Sequence, residues 1–285
     1  MPANQKMTSS PRRAEGAHEA SRGPTTRSHE GADSRMDSRL RGNDGPPGVP
    51  AAHIANATRD GEEPTLARLM TWLSPAFPVG GFSYSHGLEW LIETSKIKDA
   101  ATLGAWIEDV LVHGAGRSDA ILLAEAWRAV AAGDVRLLDA VTELAAAFAP
   151  SAERRLETLG QGTAFLLAVR AVWPHPALDP LSRTGAEVAY PVAVGACAAA
   201  HGLPLDATAQ AFTQAFVANL VSAGVRLIPL GQTDGLRVIA RLEPLIPRVV
   251  AGALTVGVDD IGSIAVMADI ASMRHETQYT RLFRS

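Results

Sequence analysis

Apolar residues recur at helical spacing through most of the chain. Leu103, Trp106, Ile107, Val110 and Leu111 share one face, with Asp99 or Thr102 placed to cap the start. Ser118 is placed to open a helix through Ile121, Leu122, Ala126 and Val130 that closes at Gly133. Asp134 caps a third, with Leu137, Leu138, Val141, Leu144, Ala145 and Phe148 inward and Pro150 as its stop. Ser151 opens a fourth through Leu156, Leu159, Leu166 and Leu167, ended by Trp173-Pro174-His175-Pro176. Two more are expected over 187–201 and 206–227, parted by Gly202-Leu203-Pro204. Another starts at Thr233, carries Leu236, Ile239, Ala240 and Leu242, and meets a kink or break at Pro244 and Pro247. The last covers 261–273. No alternating run of β-branched residues between tight-turn signals appears. The pattern predicts an all-α fold of eight to ten helices, and the many Ala residues predict close helix approach.

Residues 1–63 break this pattern. They contain no Phe, Trp or Tyr, and their nine basic and nine acidic side chains balance. Such a stretch cannot bury enough apolar surface to offset its backbone entropy, so it is read as a disordered extension before one domain at 64–285. Arg12-Arg13 is followed by Ala-Glu-Gly-Ala-His-Glu, which is not the apolar core of a signal peptide. The longest uncharged run, 207–225, holds Gln210, Thr213, Gln214 and Asn219, and reads as a core helix rather than a membrane span. The net charge of −4 resides entirely in the second segment and argues against nucleic-acid binding. The single Cys excludes an internal disulfide and a Cys-based zinc site, and points to a reducing compartment.

One irregular stretch stands near the start of the domain. A short helix ends at Ser74-Pro75; Pro78 and the pair Gly80-Gly81 then force a loop anchored by Phe77 and Phe82. The Gly pair before Ser83-Tyr84-Ser85 could present amides to an anion, but no Gly-Lys-Ser/Thr follows, and the chain has only Lys6, Lys96 and Lys98. A phosphate-binding loop is therefore not expected. His86 and Glu89 are three apart and could share a helix face, a spacing that suits metal ligation or acid–base work. No second such pair, His-Glu-x-x-His or Gly-x-Ser-x-Gly accompanies them. His113 and His201 read as helix ends, His175 as an exposed loop residue, and Cys197 as a buried, inert thiol. With no nucleophile–base set in view, catalytic residues are not assigned.

Two further segments are unusual. In Val225-Arg226-Leu227-Ile228-Pro229-Leu230-Gly231-Gln232-Thr233, Arg226 sits among apolar neighbours and needs a partner, either an internal acid or another protein. At the end, 273–285, Arg274, His275, Tyr279, Arg281, Leu282, Phe283 and Arg284 combine Arg with large apolar groups. That is the composition of interface hot spots, so the tail is expected to dock onto a partner rather than fill its own core.

The stretch Leu-Ser-Pro-Ala-Phe-Pro-Val-Gly-Gly-Phe-Ser-Tyr-Ser-His-Gly-Leu-Glu at 73–89, the 225–233 segment, and the ending Met-Arg-His-Glu-Thr-Gln-Tyr-Thr-Arg-Leu-Phe-Arg-Ser resemble the UreF family of urease accessory proteins. The resemblance covers about 65–285 and leaves 1–63 without a counterpart. It implies an all-α, cytoplasmic, non-enzymatic protein that dimerises. It also implies partners: a UreD/UreH-type accessory protein, the GTPase UreG and apo-urease, with GTP hydrolysis coupled to nickel insertion. No cofactor is expected to be tightly bound, nickel being handled by the partners; neither a membrane nor nucleic acid is an expected partner. By the same resemblance the tail meets UreD/UreH. The loop residues Phe77, Pro78, Gly80, Gly81, Ser85, His86 and Glu89 meet UreG or the dimer mate, with His86 and Glu89 as transient contacts on the nickel route. Two rivals stay open at this point. One is a helical enzyme using Ser83, Ser85, His86 and Glu89; the other is an adaptor in an unrelated complex.

Overall fold

The computed structural model describes residues 65–182 and 187–285, all within one compact unit. The reading of 1–63 as a disordered extension lies outside the described residues. Among those described there are eleven α-helices and no strand. They are α1 (Thr65–Trp72), α2 (Leu88–Glu93), α3 (Ala100–His113), α4 (Ala115–Ala132), α5 (Val135–Ala147), α6 (Ala152–Val172), α7 (Tyr190–Ala200), α8 (Leu205–Leu227), α9 (Gln232–Leu242), α10 (Ile246–Ala253) and α11 (Val266–His275). The six-residue α2 had no counterpart in the apolar spacing, because it is too short to show a period, and α10 lies beyond the kink or break expected at Pro244 and Pro247.

The boundaries follow local chemistry. Asp99 accepts from the Thr102 amide at 2.8 Å while Thr102 returns a bond to the Asp99 amide, a capping box that starts α3. Asp134 and Ser151 cap α5 and α6 through the amides of Leu137 and Arg154. Pro244 interrupts the helix begun at Gln232, and a 3-10 turn joins α9 to α10. Ser118, expected as a cap, lies inside α4, which starts three residues earlier at Ala115 behind Gly114. Its hydroxyl instead donates to the Gly262 carbonyl at 3.1 Å. The terminal helix is shifted too, to Val266–His275, and α7 begins at Tyr190 behind an extended Ala189.

Helix α4 is central, packed against α3, α5, α7, α8 and α10. The Ala-rich faces of α4 and α7 touch closely, and a Cβ on Gly195 would overlap the Leu123 carbonyl, so only Gly fits there. Trp72 closes the core on the α1 side. It is fully buried, edge-on to Phe165 at 5.6 Å and to Trp173 at 5.8 Å.

Helix α6 follows its apolar spacing only in part. Leu166 is buried and Leu159 packs on the core, but Leu156 and Leu167 are 58% and 67% exposed. The buried face of its first half is polar instead: Glu153, Arg154, Glu157 and Gln161. Burying charge without partners is costly, so this stripe marks where polar groups from elsewhere converge.

Candidate functional site

The groups that meet the α6 stripe come from α2, the 73–89 loop and the chain's end. The tail turns back after α11 and lies across the start of α2. Glu89, in the first turn of α2, accepts from the Leu282 amide at 2.7 Å and the Phe283 amide at 2.9 Å. The same carboxylate lies 3.1 Å from His275 Nε2. His275 is fully buried, and its Nδ1 lies 2.6 Å from Glu153. Glu153's other oxygen accepts from Arg281 at 2.7 Å. Further on, Arg284 donates its amide to the Ser83 carbonyl at 2.8 Å, and Ser85 donates its amide to the Ser285 carbonyl at 2.7 Å. Ser285 donates its hydroxyl to Glu157 at 2.8 Å. Three buried carboxylates thus hold the tail in place through charge-assisted bonds.

Helix α11 can approach because of Gly87. This residue has φ +77, and a Cβ there would sit 2.5 Å from the Ser272 amide nitrogen. Both the left-handed backbone and the close contact require Gly.

The expectation that the tail would not fill its own core therefore fails for part of it. Phe283 is 4% exposed, and His275 is inside. Phe283 lies under Arg226, whose guanidinium carbon is 4.5 Å from the ring centroid. Tyr279 and Leu282 stand in solvent, and Arg274 and Arg284 are exposed. Arg226 is itself exposed and pairs with no acid among the described residues. It donates to the carbonyls of Phe82 at 2.8 Å and Ser222 at 3.2 Å, so it ties the loop, α8 and the tail together.

His86 and Glu89 do not share a helix face. His86 precedes α2 in a left-handed conformation, φ 61, with its ring edge-on to Phe216 at 5.1 Å. Its Nδ1 is 2.6 Å from the Arg154 guanidinium and 3.2 Å from Glu157. Burial, then the Arg154 charge, lowers the His86 pKa, so the ring is neutral near pH 7. Arg154 can only donate, so Nδ1 accepts and the proton resides on Nε2. Nε2 is buried without a partner among the described residues. Burial would raise Glu157, but the Arg154 charge beside it outweighs that and holds the carboxyl far below the usual range.

Two cavities meet at this ring. One of about 270 Å³ and one of about 200 Å³ share His86, Asp119, Arg154 and Thr158 in their linings. Burial pushes Asp119 up to about 6, opposed by Arg154 and assisted by Glu157. The sequence reading missed Asp119, Glu153, Arg154 and Glu157. The available signal was the polar stripe at 153, 154, 157 and 161 behind the Ser151 cap.

The other loop residues divide. Phe77 packs on Phe165 at 5.2 Å, Phe82 is 67% exposed, and Gly80 takes φ 71 to turn the chain after Pro78. Ser85 is buried and its hydroxyl donates to the Ser285 carbonyl. His113 ends α3, and His201 follows α7 with Nε2 3.1 Å from the Trp173 carbonyl. His175, expected in solvent, is half-buried and caps the Ala177 amide at 3.2 Å. Burial raises the Cys197 thiol well above its ordinary value, which leaves it unreactive. Among the described residues no three His, Cys, Asp or Glu side chains are placed to hold a metal ion, and no helix is long and apolar enough to cross a membrane.

The UreF family profile matches residues 97–243, from just before α3 to just beyond α9. The chain belongs to the UreF family. A urease accessory protein UreF from Bradyrhizobium sp. strain BTAi1 is 51% identical over 233 residues, which are 82% of this chain and 97% of its own length. Those from Rhodopseudomonas palustris strain BisB5 and Xanthobacter autotrophicus strain Py2 are 55% and 54% identical, over 78% and 82% of this chain and 91% and 98% of theirs. As a UreF-family member the chain is a urease accessory protein. The segments 73–89 and 273–285 lie outside the profile's span, and in the fold they are bonded to each other.

Proposed function

We propose that this UreF-family chain is a non-catalytic scaffold. It joins a UreD/UreH-type accessory protein to the GTPase UreG and couples GTP hydrolysis to nickel insertion into apo-urease, as a cytoplasmic homodimer. The observation that carries the docking role is the orientation of α11. Its inward face is small or polar: Ala271, Ser272 and His275. Its outward face carries Val266, Met267, Ile270 and Met273, which are 37% to 57% exposed. A helix that turns its larger apolar side chains to solvent has a protein surface to meet. Tyr279 and Leu282 extend this face into the tail, and we assign it to UreD/UreH. Phe82 and Arg226, exposed at the 75–89 loop, form the second contact, for UreG or the dimer mate.

Nickel stays with the partner proteins in this reading. Both Glu89 oxygens already hold the tail, and His86 presents an N–H rather than a lone pair. The polar groups an enzyme would use in the loop are likewise engaged, Ser85 with the tail and His86 with Arg154. The test is a pull-down of purified UreD/UreH-type partner by the full chain carrying Ile270→Asp and Leu282→Asp. Both positions are exposed, so the melting temperature should hold while binding is lost. Undiminished binding by the folded variant refutes the assignment.

A further inference from the structure

The outward face of α11 does not end at its first turn. Ile264, just before the helix, is 75% exposed, and its amide donates to the His113 carbonyl at 2.9 Å. That bond sets Ile264 at the mouth of a groove of about 570 Å³ between the α3–α4 corner and α10. The floor is apolar, with Val112 and Val249 beside Ile264. The charged lining is basic only: Arg117 and Arg248, with His113 beside them. Arg117 donates an Nη1–H to the Asp260 carbonyl at 2.8 Å, so that contact is a neutral oxygen rather than a carboxylate. The Arg248 side chain makes no hydrogen bond or ion pair with any described residue.

Two guanidinium groups facing one groove repel each other, and nothing in the lining offsets their charge. Solvent tolerates that arrangement, but an acidic partner would turn it into attraction and orientation. The apolar floor supplies the area that such a partner buries.

We propose that the docking face of α11 and the tail extends into this groove, and that the partner segment seated there is acidic with an apolar centre. The inference rests on the docking role proposed above and names the chemistry of the docked surface. Arg248 fixes the acidic groups, Arg117 sets their register, and Ile264 joins the groove to α11.

The test uses the full chain and purified UreD/UreH-type partner as the probe, with affinity and association rate measured at two salt concentrations. Arg248→Glu should weaken binding about tenfold, chiefly through slower association. Because the Arg248 side chain has no hydrogen-bond or ion-pair partner among the described residues, this variant should melt with the wild type. The Arg117→Ala, Arg248→Ala pair should bind weakly at low salt. Its affinity should then change less than that of the wild type between about 50 and about 500 mM NaCl. A folded Arg248→Glu variant with wild-type affinity, or a double variant with undiminished salt dependence, overturns the groove assignment. If the wild-type chain fails to bind the partner at either salt, the docking role itself falls and the groove proposal falls with it.

Discussion

Replacing Glu89 by Gln tests how the tail is held. The carboxylate accepts the Leu282 and Phe283 amides at 2.7 and 2.9 Å and faces His275 at 3.1 Å. Gln has the same shape but one acceptor oxygen, and its NH₂ must face a donor. At least one buried N–H then loses its partner, at about 1–3 kcal/mol, and the remaining bonds lose their charge assistance, at about 1 kcal/mol more. The sum, about 2–4 kcal/mol, falls mainly on local opening of the tail, because the affected bonds join the tail and His275 to Glu89. Amide exchange at Leu282 and Phe283 should therefore accelerate about 30- to 1,000-fold, at about 1.4 kcal/mol per factor of ten. Exchange in α4 and α7 should change far less. Hydrogen-exchange mass spectrometry on the C-terminal peptide reads this directly. Wild-type protection of that peptide in a folded Glu89→Gln protein would show that Glu89 does not hold the tail.

Other sites give separate outcomes. Asp119→Asn should stabilise the fold near pH 7 by about 1–3 kcal/mol, because the folded carboxyl, near 6 against 3.8 unfolded, resists ionisation. The gain should vanish below the unfolded value, and urea unfolding at pH 7 and pH 3.5 checks it; a gain equal at both pH values refutes the burial argument. Glu157 has the opposite sign. Its depressed folded pKa gives stability that is present above the unfolded value of 4.5 and is lost as pH falls through the folded one. Glu157→Gln should therefore flatten the acid side of the stability profile. Gly195→Ala should lower the melting temperature, at a cost of about 1–3 kcal/mol, because its methyl group meets the Leu123 carbonyl. Trp72→Ala should cost about 3–5 kcal/mol in urea unfolding, since it empties a fully buried site.

The helical frame was legible where local chemistry decides it. Asp99, Asp134 and Ser151 act as caps through their own neighbours, Gly133 takes φ 67 at the end of α4, and Pro244 breaks the helix that Thr233 belongs to. The motifs at both ends of the domain were long enough to place the chain in its family. The site was less legible, because its bonds span the chain: Glu89 and the Leu282 amide are 193 residues apart. Apolar periodicity placed Leu159 and Leu166 of α6 correctly but missed its polar buried stripe, since it cannot know that His275, Arg281 and Ser285 satisfy Glu153 and Glu157. Phe283 was read as a free hot spot for the same reason. Nothing beside it in sequence says that Arg226 covers it.

The central claim is that this UreF-family chain connects two accessory proteins without catalysing a step itself. The direct measurement is size-exclusion chromatography of purified UreD/UreH-type protein and UreG, with and without the chain. The account predicts that the two co-elute only when the chain is present, and that the Ile270→Asp, Leu282→Asp variant fails to bring them together while remaining folded. Co-elution without the chain, or undiminished assembly by the variant, would contradict it.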